Sequence, residues 1–417
     1  MYCHIDADSF FASVLERKDP RLKGKPLLAL GAGGGVVIAA SYAAKAKGVK
    51  TGMRRKEAEA LCPGAIALLS DFTEACTASE QIEMILRSLT PQVEQMSVDE
   101  WFIDLTTLVG GLPARLDEWA RHLQQRISSS VGIGMSVGIG PTKLLAKMAS
   151  EYRKPSGITI VQSLAAGVHE PQLRKMDIAL EVFLKNRPVA AIPGIGRARQ
   201  VHAKIFQWQT AWDFACAEPK TVVHLFGRPG IDLQEELKGH PRSSVVSETR
   251  PPKSVSRGRS FRSTNDRQHV FGTMVRHLSV CVLRMRHSGL ACRGIVVWLR
   301  DGTFRFASDH LRLPHPLDTE ERLLPYLRIC FGRVWGSVSG CTQAGLALTE
   351  LKPAGSAQYS LFEQPQRVDR AEQTQRTLDE VRDRFGRESV VRATGLQPSS
   401  SKRPRLPNAY GRIGEVQ

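Results

Sequence analysis

No two of the eight cysteines stand in CxxC spacing, which removes the common zinc and dithiol redox motifs. Cys3, Cys62, Cys76, Cys216, Cys281, Cys292, Cys330 and Cys341 are scattered, mostly in apolar runs, and read as reduced core residues. No stretch approaches the roughly 18 apolar residues of a membrane span, and the chain does not open on a basic region followed by a long apolar one. The expected location is therefore the cytosol. Acidic residues are also scarce: 41 Asp and Glu face 58 Lys and Arg, for a net charge of +17 and a pI near 9.8. Such a chain repels itself unless it meets a polyanion, with nucleic acid the leading candidate and an anionic membrane surface the weaker one. The glycine run Gly31-Ala32-Gly33-Gly34-Gly35 lacks the last glycine of GxGxxG, where Val36 stands. It also leads into a strand, so a dinucleotide fingerprint is excluded and a hairpin loop is expected. At 417 residues, 42% hydrophobic, the chain is globular and long enough for about two to four domains.

Two acidic pairs stand out. In Gln92–Leu105 (QVEQMSVDEWFIDL) the alternation predicts a β-hairpin with Asp99 and Glu100 at its tip. Asp6 and Asp8 close the short apolar strand Met1–Ile5, just before a helix over Ser9–Glu16 that Asp8 or Ser9 would cap. If these strands are neighbours, three or four carboxylates meet at one sheet edge, the hard-oxygen setting Mg²⁺ prefers. Strand-end acids are otherwise ordinary turn residues.

Along the rest of the chain, Tyr42 and Lys45 share a face of a short helix and could hold a phosphate. Strand Val131–Ile139 alternates apolar residues with Gly132, Gly134, Ser136 and Gly138, leaving one side bare enough for a helix to approach closely. The next helix carries Lys143, Lys147, Arg153 and Lys154 and should end at Pro155-Ser156-Gly157, with Lys154 at its end as a phosphate ligand or a helix C-terminal cation. Ser163–Gly239 reads as helical. Within it Ile192-Pro193-Gly194-Ile195-Gly196, followed by Arg197, Arg199 and Lys204, has the form of a helix-hairpin-helix whose backbone N–H groups receive a DNA phosphate.

After a proline-bearing linker, the order is β-α-β-β-α-β up to Leu351, with strand Val255–Arg262 carrying Arg257, Arg259 and Arg262 as expected phosphate contacts. The tail from Lys352 holds an apolar island, Gln358-Tyr359-Ser360-Leu361-Phe362, suited to a partner's groove, and Lys402, Arg403 and Arg405 read as a basic nucleic-acid arm.

These motifs occur in one order: Asp6-Ala7-Asp8-Ser9-Phe10-Phe11-Ala12, Ser41-Tyr42-Ala43-Ala44-Lys45, Ser97-Val98-Asp99-Glu100, Lys154-Pro155-Ser156-Gly157 and Pro193-Gly194-Ile195-Gly196. In that order the chain resembles the Y-family translesion DNA polymerases of the DinB/UmuC type over roughly residues 1 to 350. The resemblance implies an α+β multidomain right hand: palm (1–17 and 72–161), small fingers (18–71), a helical thumb (162–239, helix-hairpin-helix near 192–204), a β-α-β-β-α-β little finger (240–351) and a flexible tail (352–417). It implies that Asp6, Asp99, Glu100 and the Ala7 carbonyl hold two Mg²⁺ ions for nucleotidyl transfer. It makes Phe11 a steric gate against ribonucleotides, Tyr42, Lys45 and Lys154 contacts to the deoxynucleoside triphosphate, and Asp8 structural. Gly194, Gly196 and Arg197 would meet primer–template DNA. Gln358, Leu361 and Phe362 resemble the peptide that binds the bacterial sliding clamp. The text around Val37 and Ala44 leans to the UmuC branch, where a UmuD-like accessory subunit is a partner, and Tyr42 leans to DinB. The alternatives are a catalytically inactive scaffold linking clamp and replicase, and a nucleotide cyclase with a palm-like sheet.

Overall fold

The structure is a computed structural model and describes residues 1–162, 177–248, 251–355, 365–386 and 389–395. These form two compact units, divided near residue 249. The first unit starts with β1 (Tyr2–Ala7) and α1 (Phe10–Lys18). Next come β2 (Leu27–Leu30), β3 (Val37–Ala40), α2 (Tyr42–Lys45), α3 (Arg55–Leu61) and β4 (Ile66–Leu69), whose strands form a small sheet ordered β3-β2-β4. α4 (Phe72–Arg87), β5 (Val93–Gln95), β6 (Glu100–Asp104), α5 (Leu116–Val131), β7 (Met135–Gly140), α6 (Lys143–Ser150), β8 (Ile158–Gln162) and β9 (Asp177–Ala179) follow. With β1 they make a six-stranded sheet ordered β5-β6-β1-β7-β8-β9. Helices α7 (Leu180–Lys185), α8 (Arg197–Ile205), α9 (Ala211–Cys216) and α10 (Pro219–Leu237) complete the unit, α10 bending where Gly227 takes a positive φ.

The two faces of the large sheet are set by side-chain alternation. Cys3, Ile5, Trp101, Ile103, Val137 and Ile139 face a core closed by Ile82, Leu86, Leu123 and Ile127 of α4 and α5. The opposite face carries rows fixed by strand register: Asp6 between Glu100 and Ser136, and His4 between Phe102 and Gly138. A Cβ at Gly138 would lie 2.1 Å from the Ala146 carbonyl oxygen and 2.2 Å from the Ser150 nitrogen, so α6 lies directly on the bare strand. The close approach expected from the alternation is realised.

Two local expectations are corrected, and one strand goes unread in the sequence. α6 ends at Ser150, so Arg153 and Lys154 lie in the turn beyond it rather than on the helix. β9, inside the stretch read as helical, pairs parallel to β8 and extends the sheet. β4 went unread because its Ile-Ala-Leu-Leu run is short and sits between loops; it pairs parallel to β2.

The second unit contains β10 (Ser254–Thr264), α11 (Arg267–His287), β11 (Leu290–Asp301), β12 (Phe306–Leu317), α12 (Glu320–Trp335) and β13 (Cys341–Thr349), in the expected β-α-β-β-α-β order. The sheet runs β10-β13-β11-β12, with β14 (Lys352–Pro353) added beside β11. The hairpin loop spans Gly302–Arg305, longer than the expected Asp301-Gly302 turn, because the Asp301 carboxylate accepts the N–H groups of Thr303 and Arg305. The tail, read as flexible apart from a helical segment around Arg370–Phe385, contains α13 (Pro365–Phe385), which is docked by ion pairs. Arg382 pairs with Glu320, both almost fully buried, and Arg286 pairs with Asp318 and Asp379. Among the described residues no helix is long and apolar enough to cross a membrane.

Candidate active site

Strand register brings the first and second acidic motifs together. Asp6 and Glu100 are cross-strand partners, and the Ala7 N–H donates to the Asp99 carbonyl at 2.8 Å. Carboxylate oxygens of Asp6, Glu100 and Glu151 lie within 4.8 Å of one another. Asp99 adjoins them, its carboxylate accepting from the Ser97 hydroxyl.

Burial pushes the Asp6 carboxyl up to about 8, against the opposing pull of Lys154, and burial raises Asp99 as well. Two lysines are bonded to these acids. Lys154 Nζ lies 2.6 Å from Asp6 Oδ1 and 2.6 Å from Glu151 Oε1, and Lys147 Nζ lies 2.9 and 2.8 Å from the two Glu100 oxygens. Crowded, partly desolvated carboxylates of this kind fit a hard divalent cation.

Asp8 has a different role. Its carboxylate accepts from Tyr42 Oη at 3.1 Å, Ser136 Oγ at 2.8 Å and the Ser156 N–H at 2.7 Å. It therefore ties together α2, β7 and the turn after Lys154. Of the two candidates for the N-cap of α1, Ser9 occupies the position, at φ 49° and without a side-chain capping bond. Tyr42 thus points its hydroxyl at Asp8, and burial plus that neighbour raise its pKa. Lys45 Nζ sits 4.5 Å from the centre of the Tyr42 ring, and burial followed by repulsion from Lys154 lowers its pKa. Tyr42, Lys45 and Lys154 are therefore clustered beside the acids. Phe11, at the start of α1, is half-buried, its ring edge-on to Phe10 at 5.5 Å and Phe72 at 5.6 Å.

The hairpin before α8 takes a shape that requires glycine at Gly194, φ 95°. Arg199 braces it by donating to the Gly194 carbonyl at 2.9 Å, and Gly196 and Arg197 are exposed. Between this hairpin and β6 lies a cavity of about 450 Å³ whose wall includes Phe102, Lys143, Lys147, Gly194 and Arg199.

In the second unit, Arg257 and Arg259 do share one face of β10, but it is the face α11 covers. Val255 is buried there, both arginines are partly buried, and burial, assisted by their charge, lowers His277 of α11 to about 3. Parity alone placed them together without saying which side the helices take. Arg262 is exposed. Gln358, Leu361 and Phe362, like Lys402, Arg403 and Arg405, lie outside the described residues.

Lys147 and Glu151 were missed as site residues. The signal was present, since they stand four apart and follow Lys143 at the same interval, but only the close approach of α6 aims them at β6 and β1.

The impB/mucB/samB family model matches residues 5–151, and that family's C-terminal domain matches residues 252–361. A protein named DNA polymerase IV from Moorella thermoacetica is 31% identical over 94% of this chain and 95% of its own length. One of the same name from Caulobacter vibrioides is 31% identical over 94% of each. Among solved structures, a Y-family DNA polymerase chimera is similar with a TM-score of 0.67, at 22% identity, over 84% of this chain and 99% of that one. An insertion ternary complex of the Dbh DNA polymerase is similar at 0.54 and 20%, covering 84% and 99%.

Proposed function

Because the chain belongs to the impB/mucB/samB family of Y-family, DinB-type polymerases, and is thus a DNA-directed DNA polymerase of translesion synthesis, we propose that Asp6, Asp99 and Glu100 are its catalytic acids. The observation that carries this is the cross-strand pairing of Asp6 with Glu100, with Asp99 beside the Ala7 backbone. The three acids, with the Ala7 carbonyl, would hold two Mg²⁺ ions. When bound, these ions supply the acidity that ionises the primer 3′-hydroxyl and the charge that neutralises the triphosphate and the leaving pyrophosphate. Lys154, Lys45 and Tyr42 grip the triphosphate, Lys45 as a point charge. Phe11, wedged between Phe10 and Phe72, fills the space a ribose 2′-hydroxyl needs.

The small sheet with α2 and α3 corresponds to the fingers, the six-stranded sheet to the palm, α7–α10 to the thumb and the second unit to the little finger. The exposed amides of the Gly194–Gly196 hairpin, with Arg197, take a backbone phosphate, and Arg262 is the arginine of β10 best exposed for the same work. Gln358, Leu361 and Phe362 are proposed to bind a sliding clamp, and a UmuD-like subunit is a further candidate partner. The short fingers leave the nascent pair weakly constrained, which supports low fidelity.

Primer extension with Mg²⁺ on undamaged and abasic templates, wild type beside Asp99→Ala, is the test. Extension across both templates by the wild type, abolished in the variant with DNA binding retained, is expected. Equal extension by the variant would refute the assignment. A wild type that binds DNA without extending it would favour the scaffold, and cyclic nucleotide made from triphosphate without DNA would favour the cyclase.

A further inference from the structure

Two lysines approach the acids from different elements. Lys154, from the turn beyond α6, belongs to the cluster assigned above to the triphosphate. Lys147, from α6 itself, holds both carboxylate oxygens of Glu100 and also lines the cavity that reaches the Gly194 hairpin. An ammonium bonded to both oxygens takes one lone pair on each, and its charge beside them repels a divalent ion. Glu100 therefore becomes a ligand only when Lys147 leaves it. The pair is not locked, since the two side chains are 29% and 22% exposed, and a phosphodiester in the adjoining cavity offers the lysine an alternative anion. A strand running from the hairpin amides to an end at Glu100 would put its phosphates there, and that strand is the primer.

We propose that Lys147 is a positioning residue that gates Glu100. It holds the carboxylate in the free protein and passes to a primer-strand phosphate on DNA binding, so that Glu100 is freed for a cation only when a primer is seated. This rests on the polymerase reading above.

The experiment follows Mn²⁺ binding to the full chain by electron paramagnetic resonance, without nucleotide, and with or without primer–template ending in a dideoxynucleotide. In the wild type, primer–template should tighten Mn²⁺ binding on the order of tenfold, and by linkage Mn²⁺ should tighten DNA binding, read by fluorescence anisotropy, by the same factor. Lys147→Met should bind Mn²⁺ on the order of tenfold more tightly without DNA and lose most of the DNA-induced gain. Lys147→Arg, which keeps the cation, should behave as wild type, and Lys147→Gln repeats the loss of charge if the Met variant fails to fold. Template strand without primer should leave wild-type Mn²⁺ affinity unchanged. Unaltered Mn²⁺ affinity in Lys147→Met, or an undiminished gain from DNA, overturns the gate; if the wild type still extends primers, the polymerase reading stands. A wild type that extends no primer removes both.

Discussion

Substituting alanine at Gly138 adds one methyl group to the strand on which α6 lies. Its carbon would sit 2.1 Å from a helix carbonyl oxygen and 2.2 Å from a helix nitrogen, where 3.4 Å begins ordinary contact. Since the obstacles are backbone atoms, no rotamer change relieves them, and α6 must retreat by about 1.3 Å. Overpacking of a core commonly costs about 1–3 kcal/mol, and a clash against backbone belongs at or above the top of that range. At about 3 kcal/mol, the first unit should lose about 6–12 °C of melting temperature, using about 2–4 °C per kcal/mol for a unit of this size. Lys147, on α6, and Lys154, in the turn just beyond, shift with the helix, and a displacement near 1 Å costs about a hundredfold in rate. The assay pairs differential scanning calorimetry with single-turnover primer extension below the lowered melting point. Gly33→Ala, which would meet nothing within 4 Å, serves as the control. Wild-type melting and extension in Gly138→Ala would show that the helix does not rest on this strand.

Further predictions follow from the buried charges. Because the Asp6 pKa is raised above its unfolded value, the folded metal-free protein binds the extra proton between about pH 4 and 8, so this group's contribution to stability falls as pH rises through that window. Metal-free Asp6→Asn should therefore gain melting temperature relative to wild type as pH goes from about 4 to 8, and added Mg²⁺ should stabilise the wild type alone; a difference flat in pH counts against the assignment. Arg382→Ala leaves the buried Glu320 carboxylate with Arg392 and Ser279 as its polar partners among the described residues, and should cost the second unit about 3–5 kcal/mol, seen as a lowered calorimetric transition in the full chain. An unshifted transition would mean that α13 is not an integral part of that unit.

Much of the fold was legible because it is written in local periodicity. The β-α-β-β-α-β order of the second unit was read from strand and helix patterns alone. What escaped depends on neighbours far away in sequence. β9 and β4 are short strands whose partners decide them. Arg257 and Arg259 obey the two-residue period, but which face the helix covers is a tertiary fact. Asp6, Asp99 and Glu100 were legible because each sits beside a strand end with a recognisable neighbourhood. Lys147 and Glu151 lie on or just past an ordinary amphipathic helix and gain their meaning only when Gly138 lets that helix settle against the acids.

Asp8 carries one last consequence. Its carboxylate, bonded to Tyr42, Ser136 and Ser156, fixes α2 and the turn after Lys154 against β7, and so aligns two of the side chains proposed to grip the triphosphate. A mutational survey scored only by lost extension would rank it with the acids proposed to hold metal and count a fourth catalytic residue where there is a rivet.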